Sequence, residues 1–128
     1  MDLRLDGKVA LVTGGSRGIG RAIAAAMAAS GAAVMISSRK ESALEEAAAS
    51  MPGEVAWFAA NAGDAEAAAA CVTATVARFG AVDILVNNAA TNPYLGPLID
   101  IDQSRAEKIT QVNQWAVLHW TQLCYRAS

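Results

Sequence analysis

The 128-residue chain is long enough for one domain with a hydrophobic core, and 54% hydrophobic against 17% charged residues excludes a disordered charged tail. A formal net charge of −2 without a basic stripe argues against a nucleic-acid-binding protein. No run approaches the roughly 20 apolar residues of a membrane span. The opening stretch MDLRLDGK lacks the apolar core of a signal peptide, so we expect a cytoplasmic protein without a membrane partner.

The first half of the chain alternates between short apolar runs and helix-forming stretches. Residues 8–13 (KVALVT) form a short apolar run followed by glycine, as expected for a parallel strand buried on both faces. A helix is predicted over 18–30, with Gly31 as the capping glycine at its end. Residues 33–38 (AVMISS) are the second predicted strand, and 41–50 a second helix with a charged face.

The alternation continues with a third strand over 54–59 and a long alanine-rich helix over 64–79, for which Asp64 is the predicted N-cap. A fourth strand is predicted over 83–86 (DILV), and residues 87–97 have the composition of a loop. Strands that alternate with longer helices indicate βαβ units and a parallel sheet with right-handed crossovers. The predicted fold class is therefore α/β.

One long helix is predicted from Asp102 to the C-terminus. Its apolar side chains Trp115, Leu118, Trp120 and Leu123 fall on more than one face. A helix that is apolar over most of its circumference is normally covered on several sides. We therefore expect further protein against this helix, in cis or from a partner, and predict a homo-oligomer that forms through it.

The stretch 13–20 (TGGSRGIG) joins the first predicted strand to the first predicted helix. Backbone N–H groups and the helix dipole favour an anion at such a turn, and glycines let the backbone approach a pyrophosphate closely. The turn lacks the GK[ST] ending of a P-loop, which argues against a nucleoside triphosphate. Tight packing is the alternative explanation for the glycines, but a strand before and a helix after favour a dinucleotide site.

The glycines at 14, 18 and 20 fit the TGxxxGxG pattern of the short-chain dehydrogenase/reductase family. The stretch 87–90 (NNAA) resembles that family's NNAG motif, with Ala90 in place of its glycine, and Asn113 lies where the family has an asparagine. The match to the family covers essentially the whole chain, and the stretch 82–98 (VDILVNNAATNPYLGPL) resembles in particular its NADPH-dependent carbonyl reductases and 3-oxoacyl-carrier-protein reductases. The resemblance implies a Rossmann-type doubly wound parallel sheet, of which this chain is the N-terminal half.

The end of the second strand predicts which nicotinamide cofactor binds. NAD enzymes usually carry an acidic residue roughly 20 positions past the glycine motif, for the adenine-ribose hydroxyls. Here the stretch 37–40 reads SSRK, without a carboxylate, and Arg17 lies in the glycine turn. Arginine pairs well with phosphate through two aligned hydrogen bonds. We predict NADP(H), with NAD less favoured; a solvated turn with ordinary surface cations is the alternative.

Two further segments are assigned to the cofactor by the resemblance. Asn61 and Ala62 stand where relatives have an Asp-Val pair at the adenine ring, and Asn88 fixes the loop beneath the adenosine half. Ordinary turn chemistry is the alternative for these asparagines. The full set of predicted cofactor-binding residues is Gly14, Ser16, Arg17, Gly18, Ile19, Gly20, Ser38, Arg39, Asn61, Ala62, Asn88, Ala89 and Ala90.

The chemistry that the resemblance implies is only partly present. Relatives use a Tyr-x-x-x-Lys pair and a serine for proton donation to a carbonyl oxygen. Neither Tyr94 nor Tyr125 is followed by lysine at that spacing, so neither is assigned as the acid. Asn113 is the one tetrad position present; in relatives its backbone holds a water of the proton relay, and a helix asparagine with local hydrogen bonds is the alternative.

The remaining candidate side chains are interpreted as structural. His119 has no acidic or metal-binding partner nearby in sequence. Cys71 and Cys124 lack the spacing of a metal site and are predicted to be buried free thiols. No metal site is predicted. Tyr94 and Leu95 are candidates to border the substrate.

The leading hypothesis is a segment of an NADP(H)-dependent reductase that acts on a ketone or 3-oxoacyl thioester. Relatives run to about twice this length, so we expect the catalytic acid outside the 128 residues and these residues alone to be inactive. A non-catalytic dinucleotide-binding module and a pseudo-enzyme whose final helix forms an interface are the alternatives. If the chain ends at Ser128, the fourth strand is a bare edge beside a helix with uncovered tryptophans, and we expect poor solubility or tight self-association.

Overall fold

The computed structural model describes residues 4–90 and 96–127. Its strands are β1 (Val9–Thr13), β2 (Ala33–Ser38), β3 (Val55–Ala59) and β4 (Ile84–Val86). They form one parallel sheet in the order β3-β2-β1-β4. The predicted parallel sheet is confirmed; β2 has its predicted bounds, and the other three strands begin one residue later.

The helices are α1 (Gly18–Ala29), α2 (Glu41–Ser50), α3 (Ala65–Phe79), α4 (Gln103–Thr110) and α5 (Ala116–Ala127), with a short 3-10 turn at Leu98–Asp100. Asp64 caps α3 as predicted, since its Oδ1 accepts from the backbone N–H groups of Glu66 and Ala67. Gly31, the residue after the C-cap Ser30 of α1, has a φ of +102°, the left-handed conformation that favours glycine at a helix end.

The sheet is buried on both faces because successive side chains of β1 and β2 alternate between two cores. One core joins Ala10, Val12, Val34 and Ile36 to α1 and α2. The other joins Leu11 and Met35 to α3 and α5. Buried helical alanines such as Ala24, Ala47 and Ala68 let the helices approach the sheet closely. The result is the three-layer α/β arrangement of a Rossmann-type doubly wound sheet.

The C-terminal helix differs from its prediction in two ways. Between α4 and α5 the helix continues as a π-helical segment, Gln111–Trp115, which the apolar pattern does not reveal. Its tryptophans are not both uncovered: Trp120 is 1% exposed among α3 and α5 side chains, whereas Trp115 is 54% exposed. The expectation of two uncovered tryptophans was therefore wrong for Trp120, because that face of α5 packs on α3.

Candidate functional site

A cleft of about 450 Å³ opens at the carboxyl ends of the strands. It lies where β1 has β2 on one side and β4 on the other, the switch point at which open α/β sheets bind ligands. Most of the residues predicted from the sequence to bind a cofactor line it. These are Gly14, Ser16, Arg17, Gly18, Ser38, Arg39, Asn61, Ala62, Asn88, Ala89 and Ala90.

The turn between β1 and α1 leaves the first helical N–H groups without a side-chain cap. Arg17 is the N-cap residue, its side chain accepts no capping bond, and the first turn of α1 carries no acidic residue. Gly18 has a φ of +59°, and a Cβ added there would meet no atom within 4 Å, so the backbone faces open space. Uncapped donors at an open glycine turn favour an anion.

Gly20 has a different role in the same turn. It is buried and does not line the cleft, and a Cβ there would collide with the Gly14 carbonyl and the Asn88 amide. Asn88 Nδ2 donates to that same carbonyl oxygen at 3.1 Å. The third glycine thus lets α1 approach the loop after β4. Ile19, which is 74% exposed, also lies outside the cleft lining.

Thr13, at the end of β1, connects the glycine turn to the loop after β4. The Thr13 hydroxyl accepts from the backbone N–H groups of Asn88 and Ala89, both at 3.1 Å, and donates to the Val86 carbonyl at 3.3 Å. The residue is 2% exposed. Sequence reasoning did not single out Thr13, because a threonine that ends a strand is indistinguishable by pattern from one that only packs.

The charged side chains that line the cleft are all positive. Arg17, Arg39, Lys40 and Lys108 border it, and no Asp or Glu does so within the described ranges. Ser38 lies beside them, with its buried hydroxyl oxygen lacking a hydrogen-bond partner among residues 4–90 and 96–127. A buried hydroxyl without a partner costs free energy unless a ligand supplies one. The donor set therefore fits an anionic, hydrogen-bonding ligand.

The turn after β3 forms another wall of the cleft and is held by the C-terminal helix. Trp120 Nε1 donates to the Ala62 carbonyl at 3.0 Å, and Gln111 Nε2 donates to the Gly63 carbonyl at 3.0 Å. Asn61 Oδ1 accepts from Gly63 N at 3.0 Å, so this side chain already has a role within the turn. Val112 lies against Gly63 and lines the cleft as well.

The remaining predicted residues lie away from the cleft or outside the described chain. Asn113 is exposed in the π-helical segment and does not line the cleft. Segments of this kind are concentrated at functional sites. Tyr94 and Leu95, proposed at the substrate border, lie outside the described residues.

The two thiols lie in the core that joins the sheet to α3 and α5. Cys71 and Cys124 are both buried and free, as predicted. Burial raises the pKa of each thiol to about 11. Cys71 also contacts Ser37, a residue of the cleft wall. At neutral pH both side chains are neutral core groups.

The described part of the chain has neither a membrane-spanning helix nor a cluster of metal-binding side chains. None of the helices there has both the length and the apolar character needed to cross a bilayer. Across residues 4–90 and 96–127, no three His, Cys, Asp or Glu side chains come together as a metal site.

Comparison with known proteins agrees with this geometry. The chain is 43% identical over 112 residues to dehydrogenase/reductase SDR family member 4 of Bos taurus, covering 85% of this chain and 40% of that protein. It is 36% identical over 113 residues to tropinone reductase-like 3 of Erythroxylum coca, covering 86% and 44%. The chain thus spans less than half the length of these curated relatives.

A solved structure shares the fold. A metagenomic short-chain oxidoreductase, crystallised in complex with NADP, superposes with a TM-score of 0.90 at 33% identity, over 96% of this chain and 57% of the other. The family model for short chain dehydrogenases matches residues 8–127. The chain belongs to the short-chain dehydrogenase/reductase family.

Proposed function

We propose that this chain is the dinucleotide-binding part of an NADP(H)-dependent oxidoreductase that reduces a ketone or a 3-oxoacyl thioester. The single observation that carries the choice of cofactor is the charge of the cleft: four cations and no carboxylate border it within the described residues. Family membership supports a nicotinamide dinucleotide, and the solved relative with bound NADP supports the phosphorylated form.

Different residues of the cleft would bind the pyrophosphate, the 2′-phosphate and the adenine of the cofactor. The uncapped N-terminus of α1 would hold the pyrophosphate, because its free N–H groups and dipole favour negative charge. Arg17, Ser38 and Arg39 would hold the 2′-phosphate, with Ser38 Oγ gaining the hydrogen-bond partner that it lacks. Asn61 and Ala62 would border the adenine. When bound, NADPH supplies the hydride.

Proton donation would come from outside the 128 residues, which contain no Tyr-x-x-x-Lys pair. We propose that these residues alone bind the cofactor without turning over substrate. The proposed role of Asn113, holding a relay water with its backbone, is supported by its place in a π-helical segment. A non-catalytic binding module is the second candidate, since it would need the same glycine turn and the same cleft.

We also propose a homo-oligomer that forms through α5. Val117, Leu118 and Tyr125 are exposed on this helix. An exposed apolar patch of this kind is typical of an interface. Leu118→Glu is expected to lower the mass measured by light scattering, whereas Thr73→Glu on the exposed face of α3 leaves it unchanged. An unchanged mass in both variants would refute the contact.

Calorimetric titration with NADPH and NADH tests the cofactor proposal. The 128-residue protein is expected to bind NADPH at least tenfold more tightly than NADH, because a hydrogen bond to a charged group contributes about 1.5–3 kcal/mol. Arg39→Ala and Arg17→Ala should each weaken NADPH about tenfold and change NADH little. Arg126→Ala, at the end of α5 and outside the cleft lining, is the matched control. Equal affinity for both cofactors would refute the assignment.

A second experiment separates the enzyme from the binding module. A longer reading frame with the family's serine and Tyr-x-x-x-Lys should oxidise NADPH when given ketones or 3-oxoacyl thioesters. Binding of NADPH without oxidation by any of these substrates would favour the module.

A further inference from the structure

One cation of the cleft comes from a different wall than the others. Arg17 belongs to the turn after β1, and Arg39 and Lys40 follow β2. Lys108 instead lies in α4, near its junction with the π-helical segment. It borders both the main cleft and a shallower neighbouring cavity of about 770 Å³ that runs along α4. The cleft thus has positive charge on two sides.

The backbone that carries Lys108 is anchored to the cleft. Gln111 Nε2 donates to the Gly63 carbonyl at 3.0 Å, and Val112 packs against Gly63. These contacts lie within one turn of Lys108. The position of the lysine relative to the turn after β3 is therefore set by the fold.

Ordinary structural roles do not explain this side chain. Lysine in the last turn of a helix often stabilises the free carbonyl groups there, but α4 continues directly into the π-helical segment. The neighbouring Glu107 carboxylate accepts from Gln103 Nε2 at 2.8 Å. No carboxylate in residues 4–90 or 96–127 lies within ion-pairing distance of Lys108. Its ammonium is exposed at the cleft without a salt bridge to the described residues, although Asp64 and Glu107 also border the neighbouring cavity.

We propose that Lys108 is a specificity-determining residue for a phosphorylated adenosine, contacting the phosphate on the ribose from the α4 wall. This inference rests on the proposed NADP(H) function. A phosphate monoester carries close to two negative charges at neutral pH, so cations on both sides can pair with it. Lysine suits this role because its ammonium is a compact charge on a flexible stem that reaches without fixed geometry.

Affinities of the 128-residue protein for NADPH and NADH test the inference. Lys108→Gln removes the charge, and Lys8→Gln removes an exposed lysine next to β1 that does not line the cleft. Because an exposed ion pair contributes up to about 1 kcal/mol, the NADPH preference should fall about fivefold in Lys108→Gln. Lys108→Arg should keep the preference, and Lys8→Gln should leave both affinities unchanged. The difference should shrink with added salt.

The outcomes separate this inference from the function on which it rests. If the parent protein prefers NADPH and Lys108→Gln keeps the same preference, the inference is overturned while the function stands. An equal loss of NADPH and NADH affinity in Lys108→Gln also overturns it, since the contact would then not involve the extra phosphate. If the parent protein shows no NADPH preference, the proposed cofactor and the role of Lys108 are both overturned.

Discussion

Replacing Thr13 with valine removes a hydroxyl that joins two loops while keeping the side-chain shape. In Thr13→Val, the backbone N–H groups of Asn88 and Ala89 lose their acceptor. A buried polar group without a partner costs about 1–3 kcal/mol. The extra buried methyl returns about 1 kcal/mol. With two donors orphaned, the free energy of unfolding should fall by about 3 kcal/mol.

Thr13→Ser provides the comparison that isolates the hydroxyl. It keeps the oxygen and loses one methyl, at a cost of about 1 kcal/mol. Thr75→Val is the matched control: Thr75 is also fully buried, but its hydroxyl bonds only within α3, donating to the Cys71 carbonyl at 2.8 Å and contacting the Cys71 thiol. That carbonyl keeps its place in α3 without the hydroxyl, so this variant should lose less than about 1 kcal/mol.

Urea unfolding followed by circular dichroism measures all three variants, with the slope against urea as a check that the transition stays the same. The expected order of stability loss is Thr13→Val, then Thr13→Ser, then Thr75→Val. Because the loop after β4 borders the cleft, Thr13→Val should also weaken NADPH binding. If Thr13→Val is as stable as Thr13→Ser, the two hydrogen bonds do not hold this loop and the reasoning is refuted.

Three other substitutions or titrations test the structure. Gly20→Ala should lower the thermal midpoint and abolish NADPH binding, because its Cβ would collide with a backbone carbonyl; a variant as stable as the parent would contradict that packing. Trp120→Phe should lose about 2 kcal/mol in urea, from a hydrogen bond and buried ring volume, while the exposed Trp115→Phe loses almost none. Burial raises the pKa of Cys71 and Cys124 from 9.0 to about 11, so the unfolded chain releases these protons first and stability should fall as the pH rises from 9 to 11. Alanine at both cysteines should flatten that fall, and an unchanged pH profile would argue against their burial.

The strands and the glycine turn were predictable because their signals are local. The apolar run Val9–Thr13 is buried on both faces, as is typical of a strand in a parallel sheet, and the turn after it needs glycine for its conformation. The N-cap at Asp64 is a matter of neighbouring residues alone. These elements depend on spacing along the chain, which the sequence displays directly.

The rest depends on contacts between distant segments. The π-helical segment adds a residue to one turn, which a periodic apolar pattern does not show. Trp120 is covered because α5 packs on α3, a pairing of residues far apart in the chain. Lys108 borders the cleft only because α4 crosses near the turn after β3. Neither the burial of Trp120 nor the position of Lys108 at the cleft has a local sequence signal.

The cations around the cleft are all on the surface, whereas Thr13, Gly15 and Gly20 beneath them are buried. Surface charges can be exchanged with little effect on folding, since such substitutions usually change stability by less than about 0.5 kcal/mol. The charge of the cleft can therefore be changed without changing the buried residues that give the cleft its shape. Redesign of ligand preference in this protein can proceed by altering side chains such as Arg39 alone, without compensating changes in the interior.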